Sequence, residues 1–283
     1  MKSGFLITAR LKSTRLKKKV LKKINNRPLI SHMIERIKYF GKFDKIIICT
    51  SNLKQDAELI KIAKENHVDI YLGDKDDVAK RLFEAAKLHN IGYVVNIPAD
   101  CPLVDVFHAN KILKLLKSKK NIDLVRSYYL PIGLFSYGFK KKAMKKIINI
   151  KNSKNTEVWY PYFTKSGLFK VHDMKVDNKY INYDLRFTVD YKEDFEFIKK
   201  IFENFEGKKR FFTYDDILNL LKLKPNLKKI NNKRISSSIK RLKTQSILNL
   251  KDEFKLINNK KNIYIDYDEW MEKYRTNKRL IKV

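Results

Sequence analysis

The segment that follows the first apolar run reads TARLKSTRLKKKVLKKI and places Arg10, Lys12, Ser13, Arg15, Lys17, Lys18 and Lys19 within ten residues. A polyphosphate is held by several fixed cations, with hydroxyl or backbone donors converging on the same point, and arginine adds a planar fork suited to phosphate oxygens. With a single Ser and no glycine cradle, these residues describe a solvated basic turn equally well. Other chemistry finds less support. His32, His67, His89, His108 and His172 show no metal-ligand spacing, and Cys49 and Cys101 lie far apart with no CxxC, so neither a zinc knuckle nor a disulfide framework is expected. Both cysteines read as small buried residues.

The basic segment must be positioned by the elements around it. Short runs rich in β-branched or aromatic residues, GFLITA from Gly4, KIIICTS from Lys45, VDIYLG from Val68, YVVNIPA from Tyr93 and IDLVRSYY from Ile122, predict strands. Between them PLISHMIERIKYF sets Leu29, Met33, Ile34 and Ile37 on one helical face, and KQDAELIKIAKEN and DDVAKRLFEAAKLHN show the same spacing. This alternation predicts an α/β fold with a mainly parallel sheet covered on both faces, in which ligands bind beyond the carboxyl ends of the strands. The basic segment follows strand one at that end. After Tyr129 the chain reads as aromatic loops, LPIGLFSYGF and NTEVWYPYFTKSGLF, then a further strand LRFTVD and the helix YKEDFEFIKKIFENF. The predicted layout is a domain over 1–221, an Asn/Lys-rich linker over 222–233 around Pro225, and a small basic C-terminal appendage over 234–283.

The 283 residues carry 63 Lys and Arg against 31 Asp and Glu, a net charge of +32 that invites anionic partners. The last 62 residues hold 18 basic and six acidic side chains, about twice the density of the rest. Much of the excess is Lys scattered among Asn and Ile, a solvated surface. At 43% hydrophobic and 33% charged the chain is globular and not disordered. No run of the ~18 to 20 apolar residues that a membrane helix needs is present, so no membrane insertion is expected. MKSG leads directly into a strand without an apolar signal region, and a cytoplasmic location is expected.

Ala9-Arg10-x-x-Ser13-x-Arg15-Leu16-x-x-Lys19, then Pro28-Leu29, Thr50-Ser51, Gly73 with Asp77 and Arg81, Ala99-Asp100-Cys101-Pro102-Leu103, and Thr188-Val189-Asp190 with Glu193-Asp194 stand in an order that resembles the CMP-sugar synthetase superfamily. The resemblance spans about residues 4 to 230 and is strongest to the spore-coat polysaccharide cytidylyltransferase-like branch, related to acylneuraminate and 3-deoxy-manno-octulosonate cytidylyltransferases. It implies a Rossmann-like nucleotide-diphosphosugar transferase fold and transfer of CMP from CTP, with Mg²⁺, to an anionic acceptor with release of pyrophosphate, in surface polysaccharide biosynthesis. Position by position, Thr8, Ala9, Arg10, Ser13, Arg15 and Lys19 match the loop that holds the triphosphate, with Ala99 opposite. Asp77 and Arg81 fall near base and ribose. Asp100 and Asp190 match the metal-binding acids, and Arg10, Lys19 and Asp100 would act on the reacting phosphates. A homodimer is also implied.

Residue chemistry leaves other roles open for the acids. Asp100 suits the turn before Pro102, and Asp190 suits a cap on the helix near Tyr191. Where the family loop commonly has Gly and Pro-Gly, this chain has Lys12 and Lys17-Lys18, and Lys adopts a positive φ only at a cost. Gly133-Leu134 is followed by Phe135, Ser136 and Tyr137 where the branch carries acids, which implies a different acceptor or lost activity. Two rivals remain. A glycosyltransferase of related fold would use an Asp-x-Asp motif, and DKDD at Asp74 to Asp77 reads better as a helix cap. A non-catalytic member would use the basic tail to dock protein or nucleic acid, with Tyr264, Tyr267 or Trp270 stacking. The acids beside those aromatics, Asp266, Asp268 and Glu269, would repel a phosphate backbone and make nucleic acid the weaker choice.

Overall fold

The structure is a computed structural model that describes residues 1–245, 248–255, 263–266, 269 and 271. Nine strands are named in chain order: β1 (Lys2–Thr8), β2 (Lys23–Ile24), β3 (Arg27–Pro28), β4 (Lys45–Ser51), β5 (Asp69–Gly73), β6 (Ile91–Pro98), β7 (Leu124–Arg126), β8 (Tyr137–Lys140) and β9 (Val171–Asp173). The helices are α1 (Leu29–Phe40), α2 (Glu58–Glu65), α3 (Val78–Leu88), α4 (Val106–Ser118), α5 (Lys141–Ile150), α6 (Pro161–Thr164), α7 (Lys192–Phe205), α8 (Tyr214–Leu223), α9 (Arg234–Gln245) and α10 (Asp252–Lys255).

Strands β5, β4, β1 and β6 run parallel and side by side, and β8, β7 and β9 extend the sheet in that order. A parallel strand covered on both faces is apolar on both, and successive residues of β1 divide accordingly. Phe5 and Ile7 enter one core with Ile30, Met33 and Ile34 of α1 and Ile112 and Leu116 of α4. Leu6 enters the other, with Leu82 and Phe83 of α3 and Met144 and Ile147 of α5. A third core packs α7 and α8 against Leu130, Leu134, Leu185, Phe187 and Val189.

Two expectations are corrected. The stretch read as the aromatic loop LPIGLFSYGF contains β8, which lies antiparallel between β6 and β7. Its Gly138 lies so close to α4 that a Cβ there would come within 2.1 Å of Ile112. Conversely LRFTVD is not a strand. It is an extended segment whose one bridge joins Arg186 to Ile132, with Phe187 N–H donating to Ile132 O (2.8 Å) and Val189 N–H to Asp100 O (2.8 Å). Gly133 makes this docking possible, because at φ 92° a Cβ would meet the Thr188 nitrogen at 2.3 Å.

The segment read as a linker carries a 3₁₀ helix, Pro225–Ile230, whose Leu227 and Ile230 pack on the third core. The buried Asn231 amide donates to Arg186 O and Asp194 Oδ1, both at 3.0 Å. Described parts of the C-terminal extension also lie on the domain: Asn152 N–H donates to Asn249 O, Tyr264 N–H to Thr164 O, and Ile235 is buried with Tyr128 and Tyr183. Tyr267, Asp268 and Trp270 fall outside the described residues. No helix among the described residues is long and apolar enough to cross a membrane.

Candidate active site

The segment after β1 is pinned by its apolar residues. Leu11 and Val20 are buried in the first core, and the Leu11 N–H donates to Asp56 Oδ1 at 2.7 Å. Asp56 also accepts from the Ser51 hydroxyl at the end of β4. The ends of β1 and β6 are tied by Ala99 N–H to Thr8 O (2.9 Å), and Ala9 N–H donates to Cys49 O (3.1 Å). Both alanines are buried, so small side chains let these strand ends sit close. Lys19 begins a one-turn helix whose Val20 is in the core, so its own side chain is directed to the carboxyl ends of the strands.

There Lys19 Nζ contacts Asp100 Oδ2 (2.5 Å) and Asp190 Oδ1 (2.8 Å), drawing together two acids ninety positions apart. Arg15 Nη2 reaches the same Asp190 Oδ1 at 2.7 Å. The other oxygen, Oδ2, accepts from Arg186 Nη2 (2.8 Å) and Arg241 Nη2 (3.0 Å). Arg186 is held from behind by Asp194, Nε to Oδ1 at 2.9 Å. Asp194 Oδ2 also accepts from the N–H groups of Asp190 and Tyr191, so Asp194, not Asp190, caps α7. The capping role left open for Asp190 by its residue type is therefore filled by Asp194. Asp100 makes no side-chain bond to a backbone N–H among the described residues and faces Lys19, while the turn is closed by Cys101 N–H to Pro98 O.

Burial alone would push the Asp190 carboxyl up, but Lys19, Arg241 and Arg186 outweigh it and hold the group well below the usual carboxylate range. Burial likewise opposes the charge on Lys19, yet Asp100 and Asp190 raise its pKa above the ordinary lysine value. Lys19 is thus held as a cation and Asp190 as an anion around neutral pH. Four cations face three carboxylates, so the cluster keeps an excess positive charge next to Asp100, which is one-fifth exposed.

The remaining expected residues lie elsewhere. Arg10 reaches across to the segment before α3, with Nη1 on Lys75 O (3.0 Å) and Nη2 on Glu157 (3.0 Å). Asp77 is buried and spent: it caps α3 through Lys80 N–H (3.1 Å) and accepts from the Thr156 hydroxyl (2.8 Å) and Lys151 Nζ (2.5 Å). Asp74 Oδ1 accepts from the N–H groups of Asp76 and Asp77, so DKDD organises backbone as expected. Arg81 is buried with one bond, to Asp74 O, and its Nε has no partner among the described residues. Ser13 makes no hydrogen bond among them. Lys18 sits at φ 48°, the left-handed conformation expected of the family's glycine, whereas Lys12 has no positive φ.

Arg186, Arg241 and Asp56 escaped the sequence reading. A signal existed for the first, since Arg186, Thr188 and Asp190 alternate with Leu185, Phe187 and Val189 and so share a face of the extended segment.

The sequence model of the cytidylyltransferase family matches residues 5–230. This chain belongs to the cytidylyltransferase family. An uncharacterised protein of Methanocaldococcus jannaschii is 30% identical over 235 residues, covering 82% of this chain and 95% of its own. The spore coat polysaccharide biosynthesis protein SpsF of Bacillus subtilis is 21% identical over 228 residues, with 78% and 94% covered. A cytidylyltransferase structure from Leptospira borgpetersenii superposes with TM-score 0.73 at 28% identity, over 80% of this chain and 96% of that one. The mainly parallel α/β sheet expected of the family is therefore the observed fold, and the chain is a nucleotidyltransferase by family.

Proposed function

We propose that this cytidylyltransferase transfers CMP from CTP to an anionic acceptor, a sugar acid such as a nonulosonate or octulosonate or a phosphosugar or phosphonate, and releases pyrophosphate. The carrying observation is the convergence of Lys19 on both Asp100 and Asp190, with Arg15 on the same acid, at the carboxyl ends of β1 and β6. Support for the acceptor class comes from similarity to 3-deoxy-manno-octulosonate cytidylyltransferases, one of which, from a Nitratiruptor species, is 32% identical over 126 residues, half its length and 42% of this chain. Similarity to SpsF supports a place in surface polysaccharide biosynthesis, and use of CTP would suit a cytoplasmic reaction.

In nucleotidyl transfer the acceptor oxygen attacks the α-phosphorus in line, and the bond to the bridging oxygen of the leaving pyrophosphate breaks. The protein must hold both ends and neutralise charge that grows on the leaving group. Lys19 and Arg15 are fixed cations for that purpose, held charged by their carboxylate partners. Ser13, with a free hydroxyl among the described residues, is a further donor on the same loop.

The donor set fits Mg²⁺: two hard carboxylates, one after β6 and one on the extended segment before α7, already converge on one cation. Asp100, whose one ionic partner among the described residues is Lys19, would be the principal residue to hold the ion, with Asp190 as the second. Bound with the triphosphate, the ion would spread charge over the phosphoryl oxygens. Phe135 and Tyr137 stand where the related branch carries acids, and Tyr137 stacks on Tyr160 with ring centroids 5.3 Å apart; the loss of those carboxylates suits a different acceptor or lost activity.

Pyrophosphate release is to be measured with CTP, Mg²⁺ and a panel of nonulosonates, octulosonates, phosphosugars and phosphonates. Release with CTP and one acceptor class is expected. If CTP neither binds nor raises the melting temperature while a nucleotide-sugar or DNA does, this reading is wrong.

A further inference from the structure

The family match ends at residue 230, and α9 begins four residues later. Its start is anchored on the site: Arg234 Nη2 donates to Glu193 Oε1 (2.6 Å), its guanidinium lies 4.3 Å above the Tyr191 ring, and Ile235 is buried. Seven residues, two turns, separate Arg234 from Arg241 and return both to one face of the helix. Arg241 thereby reaches Asp190, the acid already shared by Arg15, Lys19 and Arg186.

Its bonding is incomplete. Arg241 Nη2 holds Asp190 Oδ2, but Nε is buried and has no partner among the described residues. A guanidinium N–H shielded from water without an acceptor is costly, and an anionic oxygen is the strongest acceptor available to it. Arg186, the other arginine on that oxygen, is answered by Asp194 from behind, whereas no second carboxylate is within ion-pairing distance of Arg241 among the described residues. The cluster carries excess positive charge before any substrate arrives.

We propose that Arg241, on the C-terminal extension, is a phosphate ligand of the enzyme: its guanidinium binds oxygens of the triphosphate's terminal phosphates and of the departing pyrophosphate. This rests on the nucleotidyl-transfer reading for its substrate and on the Arg241 geometry for its site. It assigns part of the charged extension a specific task, completing from outside the family domain a triphosphate site that has Lys12 and Lys17-Lys18 where the family loop commonly has Gly and Pro-Gly.

The test uses the full chain, with Arg241→Gln, Arg241→Lys and, as control, Lys240→Gln on the exposed neighbour, by calorimetric titration with CTP, CMP and inorganic pyrophosphate. For Arg241→Gln, CTP and pyrophosphate are expected to bind about 10- to 100-fold more weakly, the loss of one charge-assisted pair. CMP, which lacks the terminal phosphates, is expected to bind as before, Arg241→Lys to recover part of the loss, and Lys240→Gln to match the parent. Equal binding of CTP and pyrophosphate by the parent and Arg241→Gln overturns the proposal and leaves the cytidylyl reading intact. Tighter binding by Arg241→Gln also overturns it, marking Arg241 as a plug on Asp190. If the parent binds pyrophosphate through Arg241 but no CTP, the phosphate site stands and the cytidylyl reading falls; if it binds neither, both fall. Melting of each variant confirms that the fold is kept.

Discussion

Asp190 and Asp77 are both buried acids at the carboxyl side of the sheet, each surrounded by donors, and their neighbours give them different work. Asp77 is met by a backbone N–H, a hydroxyl and one ammonium, which together close α3 onto the segment around Thr156. Asp190 is met by four cations from three parts of the chain, the loop after β1, its own extended segment and α9, and no helix end depends on it. Buried charge whose partners are local backbone and one counter-ion knits structure, whereas the cations gathered around Asp190 outnumber its own charge and are what the proposed phosphate site would use. Asp100 belongs with Asp190, since Lys19 ties it to the same group while part of it stays open to solvent.

The sharpest way to break this contrast is Asp100→Asn, which should lower kcat by about three orders of magnitude, ~4 kcal/mol of transition-state stabilisation, with the melting temperature nearly unchanged. Turnover at the parent rate would remove Asp100 from the reaction. Asp77→Ala should do the opposite, costing about 3 kcal/mol of stability in urea unfolding by stranding Lys151 and uncapping α3, while turnover per folded molecule stays within about tenfold. Loss of turnover without loss of stability would place Asp77 with Asp190. A smaller effect comes from the loop itself. At φ 48° Lys18 carries strain of ~1 kcal/mol that glycine would relieve, offset by the greater freedom of glycine in the unfolded chain, so Lys18→Gly should move stability by less than about 1 kcal/mol in either direction. A large loss would show that the Lys18 side chain, with its contact to Glu58, matters more than its backbone.

The smallest expected effect is that of pH. Asp190 is held low, so its contribution is present above the ordinary carboxylate pKa and disappears only as pH falls through the depressed folded value. Lys19 is held high, so its contribution is complete below the ordinary lysine pKa and disappears only as pH rises through the elevated folded value. The stability difference between the parent and Asp190→Asn should therefore be constant from about pH 5 to pH 9. A slope inside that window, in melting temperature against pH, would mean the two groups are not the fixed ions described.

Much of the scaffold was legible because buried parallel strands are continuous apolar runs and amphipathic helices repeat every three to four residues. β1, β4, β5 and β6 and the helices α1, α2, α3 and α7 lie where those patterns put them. β8 was hidden by its four-residue length and by the glycine that lets α4 approach it. LRFTVD had the alternation of a strand but meets loops, through Ile132 and Asp100, where a strand partner would have to be. The cysteines were read correctly as buried, and burial pushes the Cys49 thiol up to about 12.

The sequence by itself determined the element types, the basic loop behind strand one, and the ordered motifs that mark the family, because those signals are local or are carried in linear order. Which charge meets which was decided by tertiary structure alone. Lys19 and Asp190 stand 171 residues apart, Arg241 reaches the same acid from another 51 residues on, and Asp194 took the capping role that Asp190 could equally have filled. Ion pairing depends on distances of a few ångströms across the fold, and no periodicity along the chain encodes them.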